Sequence, residues 1–261
     1  MKFTHVDLRV ENRVGYVTIY RPPVNALNSE VFVGLSACLD YVEASEQIKV
    51  VALTGAGRFF VAGADVKELA QAFGDEKKGA QLATVGQKVF DRIERFSKPV
   101  IAVINGPCLG GGLELALSCH LRLATEQAAL GLPELTLGLI PGFAGTQRLP
   151  RMIGKAKALE LLLMGHHVNG LEAERLGLVN LAVPNETLSQ TAKKWSENIA
   201  LEKSGRALSA ALQAVHDGLR LPLQEGQALE AELFGQLFCT EDAREGVSAF
   251  LEKRKAVFKD R

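Results

Sequence analysis

The first third of the chain alternates short apolar runs with amphipathic stretches. Val6–Val10 alternates apolar and polar positions, and Val14–Tyr20 is rich in β-branched and aromatic residues. The short polar link between these two runs predicts a β-hairpin. From Ser29 to about Ser45, apolar residues recur every three or four positions, which predicts a helix.

The next pattern is typical of a parallel sheet. Lys49–Thr54 and Val100–Ile104 are continuous apolar runs, and Gly79–Ser97 between them carries an apolar stripe that includes Val85. Because two buried strands joined by a helix form a βαβ unit, we expect an α/β fold. Leu121–Ala124 is predicted as a further strand.

The pattern changes near Pro184. The remaining sequence predicts four helices with brief interruptions, at Thr187–Ala200, Ser204–Gly218, Leu223–Phe238 and Glu241–Lys255. We therefore expect an α/β core at residues 1–185 and a helical C-terminal region at residues 186–261. Leu233, Phe234 and Phe238 make that region more apolar than a free surface helix needs.

Composition and charge narrow the class of protein. The 261 residues are 47% hydrophobic and 23% charged, which is the balance of a globular protein. Lys plus Arg and Asp plus Glu each number 30, so the net charge is zero and a protein that binds nucleic acid through phosphate contacts is disfavoured. No apolar run reaches the roughly 20 residues of a membrane helix, and no signal peptide is evident, so we expect a cytoplasmic protein.

Cysteine and histidine give no sign of a metal site. The four cysteines, which are Cys38, Cys108, Cys119 and Cys239, form no C-x-x-C pair and are expected to be reduced and buried. His166 and His167 are adjacent, so their side chains would point apart rather than bind one ion.

Two glycine-rich loops follow predicted strands. In Val61–Glu68, small residues allow close approach of the backbone to a ligand, and a backbone N–H at a helix start can bind an oxyanion. The alternative for Asp65 is a helix N-cap with Glu68 as capping-box partner. In Asn105–Glu114, the three glycines at 110–112 cost stability, which favours a ligand-binding role.

Two glutamates are candidates for acid–base chemistry. Glu114 is the one charge on an apolar helix, and Glu134 follows Pro133 in an apolar stretch. The alternatives are a solvated helix face for Glu114 and an ordinary first-turn acid for Glu134. Taken together, two carboxyl groups and two backbone donors are what stabilisation of an enolate requires.

These motifs, in this order, resemble the crotonase family of enoyl-CoA hydratases and isomerases. The likeness runs nearly end to end, over Arg21–Leu27, Ala62–Asp65, Gly110–Glu114, Pro133–Glu134, Ile140–Leu149 and Thr240–Arg254. The resemblance implies a spiral of ββα turns with a C-terminal helical trimerisation region. It also implies a homo-oligomer, either a trimer or a dimer of trimers.

The resemblance also implies a reaction and its residues. The N–H groups of Ala64 and Gly111 would form an oxyanion hole for an acyl-CoA thioester. Glu114 and Glu134 would hold the water that adds to a 2-enoyl-CoA, and Gly142 would contact that water through its backbone. No separate cofactor is implied, because coenzyme A is part of the substrate.

Coenzyme A itself is expected to meet the first loop. The resemblance assigns its adenine end to backbone groups of Ala62, Ala64, Asp65 and Val66. The loop at Pro22-Pro23-Val24 is one residue shorter than in typical hydratases and lacks their basic residue, and Ala144 stands where glycine is commoner.

Two other functions stay open from the sequence. One is a Δ3-Δ2-enoyl-CoA isomerase, in which Glu134 alone moves the proton. The other is a non-catalytic relative that binds RNA or acts as a scaffold, against which stands the absence of a basic stripe interleaved with aromatic residues. Chain length and branching of the acyl group are not predicted, although Gln71–Thr84 is expected to set the depth of the pocket.

Overall fold

A central sheet organises the computed structural model, which describes residues 1–261 throughout. The chain contains nine strands, which are β1 (Lys2–Phe3), β2 (Val6–Glu11), β3 (Val14–Ile19), β4 (Val50–Gly55), β5 (Val100–Ile104), β6 (Cys108–Leu109), β7 (Leu121–Thr125), β8 (Leu130–Gly131) and β9 (Leu181–Val183). Seven of them form one sheet in the order β1-β2-β3-β4-β5-β7-β9, and β6 pairs with β8.

Eleven α-helices surround the sheet. They are α1 (Ser29–Ala44), α2 (Val66–Ala70), α3 (Glu76–Glu94), α4 (Gly111–Ser118), α5 (Gly145–Ile153), α6 (Lys155–Met164), α7 (Gly170–Arg175), α8 (Asn185–Glu202), α9 (Gly205–Gly218), α10 (Leu223–Leu237) and α11 (Glu241–Leu251). A short 3-10 helix spans Glu134–Leu137. None of these helices is both long enough and apolar enough to cross a membrane.

The predicted hairpin and parallel sheet are confirmed. Strands β2 and β3 pair antiparallel, with Leu8 opposite Val17. Strands β3, β4, β5, β7 and β9 then run parallel to one another. Helix α3 joins β4 to β5, but it begins and ends three residues earlier than predicted, because the side chain of Asp75 accepts a hydrogen bond from the N–H of Lys78 and caps its first turn.

A repeated unit follows the parallel strands. After β4, β5 and β7 the chain makes a second, shorter extended segment, at Val61, β6 and β8 respectively. These short segments are paired in turn, since Val61 bridges Cys108 and β6 pairs with β8. A helix follows each one, so strand, short strand and helix recur and bring successive loops to the same side of the sheet.

The two faces of the sheet are covered differently. Helices α1, α3 and α4 bury the larger apolar cluster on one face, and α8 buries Leu188, Ala192 and Ala200 on the other. The four predicted C-terminal helices are present, and the first of them lies on the core sheet. The division near residue 185 stays a prediction.

Two predictions of burial are wrong. The buried stripe of α3 runs through Gly86, Val89, Phe90 and Ile93, so Val85 lies at its edge and is 38% exposed. Cys239 lies after the end of α10 and is exposed, whereas the other three cysteines are free and buried as expected.

Candidate active site

The two glycine-rich loops lie side by side. The N–H of Leu109 donates to the carbonyl of Val61 (3.0 Å), and the N–H of Val61 donates to that of Pro107 (3.3 Å). Three residues beyond Val61 is Ala64, and two beyond Leu109 is Gly111. The backbones that the sequence analysis singled out are therefore neighbours at the start of α4.

The N–H groups of Ala64 and Gly111 donate to no group of the protein. Leu27 fixes the loop around Ala64, because its N–H donates to Gly63 (2.9 Å) and its carbonyl accepts from Asp65 (2.7 Å). Gly111 is the first residue of α4, where the helix dipole is positive. Both N–H groups are thus held in place and available to an anionic oxygen.

Close approach of the two loops explains one of the three consecutive glycines. A Cβ atom on Gly112 would lie 2.1 Å from the carbonyl oxygen of Val61. No side chain fits there, so glycine at this position lets α4 begin directly against the first loop.

Glu114 is buried rather than solvated. The residue is 1% exposed, and its Oε1 accepts hydrogen bonds from the N–H groups of Phe143 (2.8 Å) and Gly145 (2.7 Å). Burial raises the pKa of Glu114 to about 7, and the charge of Glu134 acts in the same direction, against the two backbone hydrogen bonds. The alternative of a glutamate on a solvated helix face is wrong.

The two donors to Glu114 come from one tight turn. Ala144, between Phe143 and Gly145, has φ +75° and ψ +21°, a left-handed conformation that is uncommon for alanine. This conformation turns two N–H groups of alternate residues toward the same carboxylate oxygen, as in the backbone nests that bind anions. The sequence departure at Ala144 thus falls at the centre of the turn that holds Glu114.

Glu134 begins the 3-10 helix that follows β8 and Pro133. Its Oε2 is buried and has no hydrogen-bond partner. Burial raises the pKa of Glu134 to about 7. Glu134 does lie in a first turn, as the alternative has it. An ordinary first-turn acid would be solvated, however, whereas Oε2 of Glu134 is buried. With its pKa near neutrality, Glu134 can exchange a proton at neutral pH.

Both glutamates face one cavity of about 730 Å³. Ala62, Ala64 and Val66 of the first loop, Gly111 of the second, and Gly142 also line it. Its apolar wall comes from two segments, with Leu69, Phe73 and Leu82 on one side and Leu139 and Ile140 on the other. Phe73 and Leu82 belong to the segment Gln71–Thr84, so this segment lines the cavity, and its part in setting the depth of the pocket stays a prediction.

Asp65 is placed differently from the other predicted site residues, because it does not line this cavity. Its carboxylate accepts from the N–H of Lys67 (2.9 Å) and pairs with Arg21 (2.5 Å), so the predicted N-cap is confirmed. The predicted capping box is wrong, since the carboxylate of Glu68 instead accepts from the N–H of Ser29 (3.1 Å).

Sequence reasoning missed four contacts that shape the site. The ring of Phe143 packs edge-on against Phe32 and Phe90, with centroids 5.4 and 5.6 Å away. Arg148 is 6% exposed and donates to the carbonyl of Phe143 (3.0 Å). Gln87 donates to the carbonyl of Gly142 (2.8 Å). The contacts of Phe143 with Phe32 and Phe90, and of Gln87 with Gly142, join segments more than 50 residues apart, so no local pattern indicates them. Arg148 and Phe143 lie in the same motif, Ile140–Leu149, but that motif does not indicate a hydrogen bond between them.

The fold and this site define the chain as an α/β enzyme in which two carboxyl groups of raised pKa and unpaired backbone donors face one apolar cavity. Comparison with known proteins agrees. The profile of the enoyl-CoA hydratase/isomerase family matches residues 9–261. The chain belongs to the enoyl-CoA hydratase/isomerase family, and the ββα spiral is the crotonase fold.

Individual relatives cover the whole chain. A Bacillus subtilis protein named "Probable enoyl-CoA hydratase" is 48% identical over 97% of this chain and 98% of its own length. A short-chain-enoyl-CoA hydratase from Clostridium acetobutylicum is 40% identical over 98% of this chain and 97% of its own. The crystal structure of an enoyl-CoA hydratase from Bacillus anthracis matches with a TM-score of 0.93 and 36% identity, over 98% of this chain and 100% of that one.

Proposed function

We propose that this protein is an enoyl-CoA hydratase, which adds water across the double bond of a 2-enoyl-CoA to give a 3-hydroxyacyl-CoA. The observation that carries the proposal is the pair Glu114 and Glu134, both with a pKa raised to about 7, facing the cavity that Ala64 and Gly111 also line. The names of the full-length relatives support the same activity.

The backbone donors have a defined part in this reaction. Water addition to the β-carbon pushes the electrons of the double bond onto the thioester oxygen, which becomes an enolate. In this proposal the free N–H groups of Ala64 and Gly111 bind that oxygen, and such preorganised donors contribute about 3 kcal/mol each in the transition state. The reaction is redox-neutral, so its electrons balance with coenzyme A acting only as the carrier of the acyl group.

The two glutamates divide the proton transfers. Glu114 accepts two backbone hydrogen bonds, which favour its carboxylate, so it takes the proton of the attacking water. Glu134 has an unpartnered buried oxygen, which favours its neutral acid, so it gives a proton to the α-carbon of the enolate. After one turnover Glu134 has given its proton to the α-carbon and Glu114 holds a proton from the attacking water, so a proton must move from Glu114 to Glu134, directly or through water, before the next turnover.

Substrate binding follows from the free backbone groups of the first loop. The N–H of Ala62 donates to the carbonyl of Val24 (3.1 Å), and the N–H of Asp65 donates to the carbonyl of Leu27. The carbonyl of Ala62 and the N–H groups of Ala64 and Val66 have no protein partner. These are the groups that we assign to the adenine end of coenzyme A and to the thioester. The Asp65 side chain is committed to Arg21 and Lys67, so any contact from this residue would be through its carbonyl.

Assembly into trimers, alone or paired, is part of the proposal. Phe234 on α10 and Phe238 directly after it are 62% and 73% exposed, and Phe250 on α11 is 82% exposed. Large aromatic residues exposed together on two helices favour burial against another copy of the chain. Light scattering at low micromolar concentration checks the mass, and a fully active monomer would contradict the proposal.

A hydration assay tests the function. Loss of the absorbance of the conjugated thioester is followed with short, long and branched 2-enoyl-CoAs, which also gives the acyl preference. Conversion of a 3-enoyl-CoA without hydration of any 2-enoyl-CoA would show an isomerase instead. Salt-sensitive RNA binding with no turnover would show a non-catalytic relative.

A further inference from the structure

The peptide unit between Gly142 and Phe143 is held at both ends. Its carbonyl oxygen accepts a hydrogen bond from Nε2 of Gln87 at 2.8 Å. Its N–H, on Phe143, donates to Oε1 of Glu114 at 2.8 Å. In a planar trans peptide the C=O and N–H bonds point in opposite directions. The direction in which Gln87 holds the oxygen therefore sets the direction in which the N–H meets Glu114.

The second peptide that binds Glu114 is held by different means. The N–H of Gly145 donates to Glu114, and the carbonyl of the same peptide, on Ala144, accepts from the backbone N–H of Arg148 (2.9 Å) and Gln147 (3.0 Å). Those bonds are the first turn of α5, which no side-chain change removes. The carbonyl of Gly142, in contrast, has Gln87 as its only donor within the protein.

The position of Gln87 suits this part. It lies on α3, next to the buried Gly86 and two residues before the buried Val89. It also lines the same cavity as Glu114. Helix α3 is anchored by Phe90, whose ring packs 5.6 Å from that of Phe143. The amide of Gln87 is thus presented from a rigid element to a turn whose centre, Ala144, is in a left-handed conformation.

We infer that Gln87 is a positioning residue for Glu114: by holding the carbonyl of Gly142, it aims the N–H of Phe143 at the carboxylate. The inference rests on the proposed function for its effect on turnover, but not for its effect on Glu114 itself. Without Gln87 the peptide is free to rotate, and Glu114 retains one fixed donor, the N–H of Gly145. The carboxylate of Glu114 is then less stabilised. Of the two charged groups that face it, Glu134 disfavours the carboxylate and Arg148 favours it.

Gln87→Met tests the inference, because methionine fills a similar volume without an N–H donor. We expect kcat for hydration to fall about tenfold with KM within about twofold, since the reacting groups are misplaced and substrate contacts are kept. The acid limb of kcat/KM should move to higher pH. Gln81→Met is the matched control, because Gln81 is exposed on the same helix and does not line the cavity. Gln87→Leu serves as a second variant if methionine is not tolerated, and circular dichroism checks folding.

A titration independent of turnover separates the inference from the proposed function. The carboxyl carbon of Glu114 is followed by ¹³C NMR against pH, with its signal assigned by its loss in Glu114→Gln. A higher pKa of Glu114 in Gln87→Met than in Gln81→Met supports the inference, even if the wild type hydrates no enoyl-CoA. Normal hydration and an unchanged Glu114 titration in Gln87→Met would overturn it.

Discussion

Oε1 of Glu134 lies 2.6 Å from the point at which Gly110 would carry a Cβ atom. Gly110 also has φ +52°, in the region that side chains disfavour. Gly110, which precedes α4, and the carboxyl group of Glu134 therefore share one small space. Glycine at position 110 therefore allows the positive φ of the turn and also leaves room for Glu134. This contact joins the second glycine-rich loop to a carboxyl group 24 residues later in the chain.

The first prediction follows from that contact. Gly110→Ala should displace Glu134 and lower hydration about 100-fold, because misplacement of a catalytic group by about 1 Å has that effect. Gly177→Ala is the matched control, since Gly177 has φ +74° and open space around it, so it carries the backbone strain alone. Gly110→Ala should lose more stability than Gly177→Ala, because the contact with Glu134 adds to the cost of a positive φ. Equal hydration activities of Gly110→Ala and Gly177→Ala would show that the space at Gly110 does not matter for the role of Glu134.

Most of the fold follows from periodicity in the sequence. The apolar runs gave β4 and β5 to within a residue, because buried parallel strands need continuous apolar side chains. Helices α5, α6 and α7 were not predicted, because α5 has Pro150 in its interior and α6 shows no clear apolar stripe. Val85 and Cys239 were wrongly expected to be buried, because burial depends on which distant segments pack against a residue, and a local pattern does not indicate that.

The sequence motifs identified the candidate residues of the site, but they did not establish the surroundings of those residues. Glu114 and Glu134 stand in motifs that the sequence analysis recognised, but each had a structural alternative that only burial removes. The Glu68 capping box failed because Ser29, which is 39 residues away, offers the carboxylate a backbone N–H. Gln87 was missed because its bond to Gly142 joins residues 55 positions apart.

Glu134→Gln is predicted to abolish hydration with little effect on binding of coenzyme A. Glutamine keeps the shape but cannot give a proton, and loss of general acid–base catalysis costs about 10²–10⁴ in rate. Steady-state hydration and calorimetric binding of coenzyme A are the measurements. Glu186→Gln, at an exposed position of α8, should leave both unchanged. A kcat of Glu134→Gln within tenfold of the wild type would rule out this role.

The pH dependence of kcat/KM should be bell-shaped with its maximum near pH 7. The proposed reaction needs Glu114 ionised and Glu134 protonated, and burial raises the pKa of each to about 7. Below this range both are protonated and the base is lost, whereas above it both are ionised and the acid is lost. Because the two groups interact, the limbs report the pair rather than either residue. A rate that is flat from pH 5 to 9 would contradict the assignment.

Glu134→Gln should also make the protein more stable at alkaline pH. The pKa of Glu134 is raised from its ordinary value of 4.5 to about 7 in the folded state, so its ionisation opposes folding. The wild type loses this stability as pH rises from 4.5 to 7, and glutamine does not. The variant should gain about 1–3 kcal/mol at pH 8 relative to its difference at pH 4. Urea unfolding at both pH values measures it, and an equal difference at both would show that Glu134 is not buried as a charge.

The proposed oxyanion hole can be tested by removing one of its two N–H groups. Gly111 is the first residue of α4, where proline fits a helix, and Gly111→Pro deletes the donor that the proposed mechanism assigns to the enolate. Gly111→Ala is its control, because it keeps the N–H yet adds a Cβ that would meet the Phe143 ring at 3.1 Å, as proline also would. We expect the alanine variant to lose activity modestly through that contact, and the proline variant to lose a further 10²–10³-fold, about the value of one oxyanion donor. Circular dichroism establishes that both fold. Proline and alanine variants of equal activity would mean that the Gly111 N–H does not bind the enolate oxygen, and the hole would then have to be sought around Ala64 alone.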